Sequence, residues 1–487
     1  MIVIKNLTTT IYGKSLFQDM SIIVHQGQKI GIIGPNGCGK STLLKIIAGH
    51  IKPDQGSVSL DKEIVGYLPQ QIEADEQNTL EDYLELHAHP QGWVLLGKLA
   101  LDDIDLTQNI HSLSGGQKTR LALIKTLYAN PTVLLMDEPT NNLDSNGIEW
   151  LESFIQQFPG SVLIVSHDRA FLNATVSRIV EFDPVNNRIE EYRGNYDGYL
   201  AERDARRAQW EKNYELQQRE KRRLEQWLAL KRQEASIFVD PAKGRQVRMM
   251  EKRIQREIYD KAIAKPTDNK IMKRSRFSGN AHSGKLLLRV LSLSKSFDGH
   301  PLFRDISFEI RGHDRYHIAG SNGTGKSSLL KIIMGQTNSD NGTIEHGENV
   351  RVGYFSQEND TLDTTKTILD EIMKSNTSLT LEKARAVLGS FLFPADDIYK
   401  TIGSLSFGER VRLSFAKLMQ KEHDLLILDE PTNHLDIPSR EAIEHALEQY
   451  QGGILVVSHD RYFLKQLGEL VECELENGKL KGSGMII

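Results

Sequence analysis

This chain carries nearly the same text twice, and that constrains its fold more than any other feature. Tyr12-Gly-Lys-Ser-Leu-Phe-Gln-Asp-Met-Ser returns as Phe297-Asp-Gly-His-Pro-Leu-Phe-Arg-Asp-Ile-Ser. Gly34-Pro-Asn-Gly-Cys-Gly-Lys-Ser returns as Gly320-Ser-Asn-Gly-Thr-Gly-Lys-Ser, displaced by 286 residues, and Val165-Ser-His-Asp-Arg as Val457-Ser-His-Asp-Arg, displaced by 292. A nearly constant displacement admits only small insertions, so two homologous domains are expected at 1–198 and 285–487, with a linker at 199–284. Within each copy, apolar runs of strand length end in turns and lead into helical patterns, the rhythm of a mostly parallel α/β sheet. Ile30-Gly-Ile-Ile feeds a Gly-rich turn and Ser41-Thr-Leu-Leu-Lys-Ile-Ile opens the helix after it, while Val133-Leu-Leu-Met and Leu425-Leu-Ile-Leu read as buried parallel strands. Segments 79–112 and 363–404 read as more helical inserts.

The linker is a different polymer. Between Ala201 and Arg276 there are 22 basic and 12 acidic residues, a net of +10, so the formal net charge of −5 conceals −15 on the remainder. Trp210 and Tyr214, Leu224 and Leu228, and Val247, Met250, Ile254 and Ile258 recur at helical spacing, and Asp240-Pro-Ala-Lys-Gly interrupts them with turn residues. This predicts a basic helical hairpin with its tip near 237–246 and a first helix of about 35 residues, roughly 50 Å long. No apolar run approaches the roughly 20 residues of a membrane span. The start, Met1-Ile-Val-Ile-Lys, lacks the pattern of a secretory signal. Two cysteines cannot build a disulfide framework, so a reducing, cytoplasmic setting is expected.

Gly34–Ser41 and Gly320–Ser327 match the phosphate-binding loop G-x-x-x-x-G-K-S. Its glycines (Gly34, Gly37 and Gly39; Gly320, Gly323 and Gly325), with Asn36 and Asn322, let backbone N–H groups face phosphates. Lys40 and Lys326 would neutralise β/γ charge; Ser41 and Ser327 would ligate Mg²⁺, followed by Thr42 and Ser328. Each apolar strand 133–136 and 425–428 ends in an Asp-Glu pair. Asp137 and Asp429 are placed to hold Mg²⁺, Glu138 and Glu430 to polarise a water for in-line attack on a γ-phosphate. The competing reading, carboxylates that merely cap the next helix, is weakened by the phosphate loop in each copy.

Leu113-Ser-Gly-Gly-Gln117 and Leu405-Ser-Phe-Gly-Glu409, with Gln70 and Gln357 and the histidines His167 and His459, resemble the signature set of ATP-binding cassette (ABC) proteins. The resemblance covers both domains in order. It implies two cassettes packed head to tail around two ATP molecules, each between one copy's phosphate loop and the other copy's signature. Ser114, Gly115, Gly116 and Gln117 would then meet ATP held by Lys326, and Ser406, Gly408 and Glu409 would meet ATP held by Lys40. It further implies that Tyr12 and Phe297 stack on adenine and that Gln70 and Gln357 touch Mg²⁺ and the attacking water. His167 and His459 would contact the γ-phosphate, and Asp144 and Asp436 would link the sites. Two departures stand out: Phe407 replaces the usual signature glycine, and Asn142 stands where the second copy has His434. Two competent sites with unequal rates are expected.

Two cassettes joined by a long basic linker, with Asp137-Glu-Pro-Thr-Asn-Asn-Leu-Asp144, Asp429-Glu-Pro-Thr-Asn-His-Leu-Asp436 and Tyr192-Arg-Gly-Asn-Tyr-Asp-Gly-Tyr199, resemble the ABC-F subfamily. The implied fold is two tandem P-loop ABC ATPase domains joined by a basic α-helical hairpin. The implied partner is the ribosome: the exit site, 23S rRNA and P-site tRNA near the peptidyl-transferase centre. A monomer with intramolecular cassette pairing and no membrane partner is expected. Lys and Arg along a helix neutralise phosphates; Phe238, Lys243, Arg245, Gln246 and Arg248 near the tip are the candidates for RNA contact, against the plainer reading of a solvated spacer. Gln70 to Ser114 spans 44 positions against 49 from Gln357 to Ser406, so no insertion lengthens the first copy, and 28 residues follow His459. This arm-only layout resembles the members that protect ribosomes from antibiotics; a general translation factor, a transporter ATPase and a DNA-acting ATPase are the alternatives.

Overall fold

The computed structural model describes residues 1–482 apart from 12, 71–78, 87, 100, 102–103, 114, 142, 184–187, 238–240, 257–283, 298, 357–361, 395, 434 and 449. Each copy is built on a six-stranded sheet. In the first, the order is Val65–Leu68, Val133–Asp137, Ser161–Val165, Lys29–Ile33, Arg178–Asp183, Arg188–Arg193; in the second, Val352–Phe355, Leu425–Asp429, Gly453–Val457, Arg315–Ala319, Val471–Glu476, Lys479–Gly482. Only the last pair in each sheet is antiparallel. The expected strands Val133–Asp137 and Leu425–Asp429 are buried at every residue, as a strand covered on both faces must be. The helices that follow these strands, Ser145–Gln157 and Ile437–Leu447, supply the crossovers to the parallel neighbours Ser161–Val165 and Gly453–Val457.

Register decides where the chemistry lands. Val165 pairs with Ile32 on one side and with Asp137 on the other, so the phosphate loop, the Asp-Glu pair and the histidine turn leave the sheet at one edge. Asp429 pairs with Val457 in the same way. A three-stranded antiparallel sheet packs over each core: Lys14–Val24, Ile2–Ile11 and Gln55–Ser59 in the first copy, His300–Arg311, Leu286–Phe297 and Asn341–His346 in the second. Between the two layers lie Ile4, Leu7, Ile32, Leu43, Leu135 and Val165, or Leu288, Phe303, Ile318, Leu329, Ile427 and Val457. Burying each such side chain contributes about 1.5–3 kcal/mol, which holds the phosphate-loop helix against its sheet.

The helical inserts contain Leu80–Leu84 and Gln91–Lys98 in the first copy, Ile368–Ser375 and Leu381–Ser390 in the second. Thr79, Thr367 and Thr380 cap three of these helices by accepting the N–H three residues on. Both cysteines are buried free thiols. Among the described residues, no helix is long and apolar enough to cross a membrane.

The two copies form one compact unit, Met1–Tyr196 with Lys270–Ile487, and Asp197–Asn269 forms a second. The second unit contains most of the helix Tyr196–Ile237 and the helix Pro241–Ile254. The first is 42 residues long, about 63 Å, and exceeds the expected 35 because it continues through Gly198 to start at Tyr196. Leu224, Leu228, Val247, Met250 and Ile254 form one cluster between the two helices, and Arg232 Nε donates to Glu251 Oε1 at 3.0 Å. Ile258 lies outside the described residues.

Candidate active site

Each phosphate loop ends in a glycine whose backbone only glycine adopts cheaply. Gly39 (φ 103°) and Gly325 (φ 99°) precede the helices Lys40–Ile47 and Lys326–Ile333. A Cβ on Gly39 would lie 2.8 Å from Phe17 Cζ, and on Gly325 2.6 Å from Leu302 Cγ, so space and torsion both require glycine. Lys40 Nζ donates to Gly34 O at 2.7 Å and Pro35 O at 3.0 Å; Lys326 Nζ donates to Gly320 O at 2.6 Å and Ser321 O at 2.9 Å. Both ammonium groups are buried at the start of a helix, where backbone N–H groups and the helix dipole favour a phosphate.

Ser41 Oγ donates to Asp137 Oδ1 at 3.0 Å, and Ser327 Oγ to Asp429 Oδ1 at 3.1 Å. Two oxygen ligands beside a phosphate loop fit Mg²⁺, which commonly takes one or two protein oxygens, substrate phosphate oxygens and waters. When bound, the ion supplies neutralisation of β/γ charge.

Glu138 (φ 49°) and Glu430 (φ 47°) sit in the left-handed region, uncommon for a residue with a side chain. Their N–H groups donate to Val165 O at 2.8 Å and Val457 O at 2.9 Å, so the neighbouring strand holds the turn that brings each carboxylate round. Glu138 Oε2 accepts the His167 N–H at 3.3 Å, and Glu430 Oε2 the His459 N–H at 3.4 Å. Glu138 Oε1 is buried without a hydrogen-bond partner, 3.5 Å from His167 Nε2. Burial pushes Glu138 up to about 7, opposed by Lys40 and Arg440, and pushes Glu430 up to about 8, assisted by the charge of Asp429. Burial also holds both histidines low, His459 at about 4 and His167 well below its ordinary value, each pushed further in the same direction by the positive charge of the lysine of its own loop. A buried glutamate with proton affinity near neutrality can accept a proton from water at working pH, beside a histidine that stays neutral and so adds no competing charge.

These groups surround two cavities, of about 740 Å³ and about 650 Å³, within the range of nucleotide-sized sites. The first is lined by Asn36, Gly37, Gly39, Lys40, Ser41, Thr42, Gln70, Glu138 and His167, all expected from the sequence. The second is lined by Phe297, Asn322, Gly323, Gly325, Lys326, Ser327, Ser328, Glu430 and His459, with Gly115 reaching in from the other copy. Asp436 crosses in the reverse direction, its Oδ2 accepting the Asn36 N–H at 2.9 Å. Both aspartates cap their own helices, Asp144 accepting from Gly147 N at 3.0 Å and Asp436 from Ser439 N at 3.1 Å, and the charge of Asp144 acts on Lys326 and His459.

Several expected residues do not line a cavity. Gly34 and Gly320 instead face the neighbouring strand, where a Cβ would lie 2.9 Å from Phe182 Cβ and 2.6 Å from Leu475 O. Gly116 and Gln117 belong to the helix Gly115–Leu127 away from the lining. Ser406, Gly408 and Glu409 do not line the first cavity. Ser406 donates its hydroxyl to Glu409 Oε2 at 2.7 Å and closes a capping box on the helix Phe407–Leu418, so the second signature is turned on itself. Phe407 is 39% exposed at the first turn of that helix. Tyr12, Ser114, Gln357, Asn142 and His434 lie outside the described residues. So does Phe238; the side chains of Lys243 and Gln246 are likewise outside the description, and Arg245 and Arg248 are exposed on the helix Pro241–Ile254.

Sequence reading missed Arg440 and Asn141, which line both cavities, and Lys118, which lines the second. It also missed the pairing of Arg169 with Glu444 and of Arg461 with Glu152, one from each copy to the other. The signal was present in the repeat: these pairs map onto each other at the displacement of 292, whereas Arg440 falls on Ile148.

A family model described as "ABC transporter" matches residues 17–141 and 303–433, and a second model of the same description matches 182–276. The energy-dependent translational throttle protein EttA of Escherichia coli (strain K12) is 34% identical over 96% of this chain and 91% of its own length. The chain belongs to the ABC-F subfamily of ATP-binding cassette proteins. The ribosome protection protein VmlR of Bacillus subtilis (strain 168) is 33% identical over 96% of this ABC-F chain and 85% of its own. In fold, the ABC-F chain is similar to the archaeal ribosome recycling factor in its complex with a ribosomal stalk protein, at a TM-score of 0.66, 20% identity and coverage of 98% and 90%. It is an ATPase with two tandem cassettes.

Proposed function

We propose that this ABC-F ATPase binds the ribosome and that ATP binding and hydrolysis time its stay there. The observation that carries the reading is the second unit: a 42-residue helix in a stretch of net charge +10, inserted between two ATPase cassettes that need no such element for hydrolysis. A basic helix of that length neutralises nucleic-acid phosphates and releases their counterions. The relatives named for ribosome protection and for translational throttling support the same partner.

In this proposal ATP and Mg²⁺ are held by Lys40, Ser41, Gln70 and Asp137 in one site and by Lys326, Ser327, Gln357 and Asp429 in the other. Glu138 and Glu430 activate water. ATP closes the cassettes of a cytoplasmic monomer, the closed form fits the exit site, and the arm bears on the P-site tRNA end and the 23S rRNA around the peptidyl-transferase centre. Hydrolysis then releases the protein. The arm-only layout favours ribosome protection against antibiotics. A general translation factor acting on stalled ribosomes is the second reading, favoured by the likeness to EttA.

The test is co-sedimentation. The Glu138→Gln/Glu430→Gln chain should pellet with ribosomes in ATP and arrest translation; a double variant that stays in the supernatant overturns the ribosome reading. A sensitive bacterium expressing the wild-type chain should then gain resistance to one or more of macrolides, lincosamides, pleuromutilins and streptogramins. Unchanged susceptibility to all four turns the choice to the general factor.

A further inference from the structure

Arg440 stands in the helix Ile437–Leu447, which follows the loop carrying Asp436. In the first copy the same place is taken by Ile148, buried at 4% exposure. An apolar side chain therefore fills this position adequately, and a guanidinium is not needed for packing. Burying one is costly unless its donors are met. Arg440 is 8% exposed and its donors go in two directions. Nε donates to Leu435 O at 3.0 Å, and Leu435 lines the first cavity. Nη1 donates to Asp460 Oδ2 at 2.7 Å, and Asp460, next to His459, lines the second. The arginine itself lines both.

The connection extends across the cassette interface. Asp460 Oδ2 is also 4.0 Å from Nη2 of Arg169, two residues beyond His167 of the first copy. Arg169 is in turn bound through both terminal guanidinium nitrogens to Glu444 of the second copy, with Nη1 donating to Oε2 at 2.9 Å. One planar, rigid fork thus bridges the loop beside the first cavity and the histidine turn beside the second.

We propose that Arg440 is a positioning residue that couples the two nucleotide sites, so that closure of one cavity sets the loop geometry of the other. Movement of the 435–436 backbone on closure at the first site pulls the guanidinium, which carries Asp460 and the turn at His459. Ile148, at the equivalent place in the first copy, carries no hydrogen-bonding group and cannot make this link, so the coupling proposed here runs from the second copy. The inference rests on ATP binding alone and is independent of what the arm meets.

The test uses the full chain carrying Glu138→Gln/Glu430→Gln, so that ATP binds without turnover, and equilibrium binding of ATP. Two coupled sites give a Hill coefficient above 1 and at most 2, expected near 1.5 in this parent. Arg440→Ile, which installs the residue of the first copy, and Arg440→Met, which keeps the stem, should both bring it to about 1. If the isoleucine variant fails to fold, the methionine variant decides. Ile443→Ala, a core cavity in the same helix, should lower the melting temperature and keep the parent coefficient. A non-cooperative parent, an unchanged coefficient in the Arg440 variants, or an equal fall in Ile443→Ala would each overturn the proposal.

Discussion

The two cavities share their motifs and differ in their walls. The second is completed from across the interface by the signature helix of the first copy, through Gly115 and Lys118. The first receives Leu435 and Arg440 from across the interface, where the second has their counterparts Leu143 and Ile148, but its lining includes no residue of the second signature, which keeps Ser406 on Glu409 while Asp436 holds Asn36. The ion pairs flanking them differ as well. Arg169 and Glu444 are 1% and 10% exposed, whereas in the equivalent pair Arg461 is 41% exposed. Duplication thus copied the phosphate loops, the Asp-Glu pairs and the histidine turns and left the interface free to diverge. The role proposed for Glu138 and Glu430 tolerates no substitute, whereas a buried interface accepts any combination that fills its volume and satisfies its polar groups.

The comparison can be broken first at the glutamates. Replacing both Glu138 and Glu430 by Gln should lower steady-state ATP turnover by about 10²–10⁴-fold, the usual worth of a positioned base. The single replacements should lower it unequally because the walls differ. Equal losses from Glu138→Gln and Glu430→Gln would remove the functional content of the asymmetry.

Next come the ion pairs. Glu444→Ala takes from the buried Arg169 its bidentate carboxylate partner, leaving Asp460 at 4.0 Å and the face of Tyr462, and should cost about 3–5 kcal/mol in denaturant unfolding. Glu152→Ala leaves the half-exposed Arg461 to water and should cost about 0–1 kcal/mol. Similar costs from the two variants would show that the interface is symmetric in energy after all.

The pH dependence of stability sharpens the same point. Glu138 and Glu430 hold a proton more tightly in the folded chain than the ordinary 4.5, so their contribution is complete below that value and lost as pH rises through about 7 and about 8. His167 and His459 have the opposite sign: their contribution is complete above about 6.5 and lost as pH falls through their lower folded values. Above pH 6.5, only the glutamates of this group still titrate. The melting temperature of the nucleotide-free wild-type chain should therefore fall more steeply from there to about pH 8.5 than that of the double glutamine variant. Parallel curves would contradict the burial of these carboxyls.

The smallest effect is expected at Phe407. Phe407→Gly restores a signature glycine at an exposed helix start and should cost about 1 kcal/mol in helix stability. With the Lys326 site silenced by Glu430→Gln, it should also raise turnover at the Lys40 site a few-fold. Unchanged turnover would place the source of inequality in the walls alone.

Much of this was legible in the sequence because it depends on short segments. Gly39 and Gly325 announce a backbone that bends where a Cβ would strike Phe17 or Leu302. Val133–Asp137 and Leu425–Asp429 announce strands buried on both faces by being apolar throughout. The periods of Leu224 and Leu228 and of Val247, Met250 and Ile254 announce the two helices whose seam they form. The left-handed turn at Glu138 and Glu430 was not legible, because it is imposed by Val165 O and Val457 O on the neighbouring strands. Nor was the closed capping box at Ser406, although its Ser-x-x-Glu spacing was in view.

The sequence by itself determined that there are two phosphate loops, two Asp-Glu pairs, two histidine turns and a basic helical insert, since each is encoded within a few residues or a single period. Only the tertiary structure decided which copy completes which cavity, that Asp436 reaches Asn36 as well as capping its own helix, and that Arg440 faces both sites. Those outcomes depend on contacts between residues hundreds of positions apart. There the energy is set by burial and by who else occupies the space, and no local pattern records it.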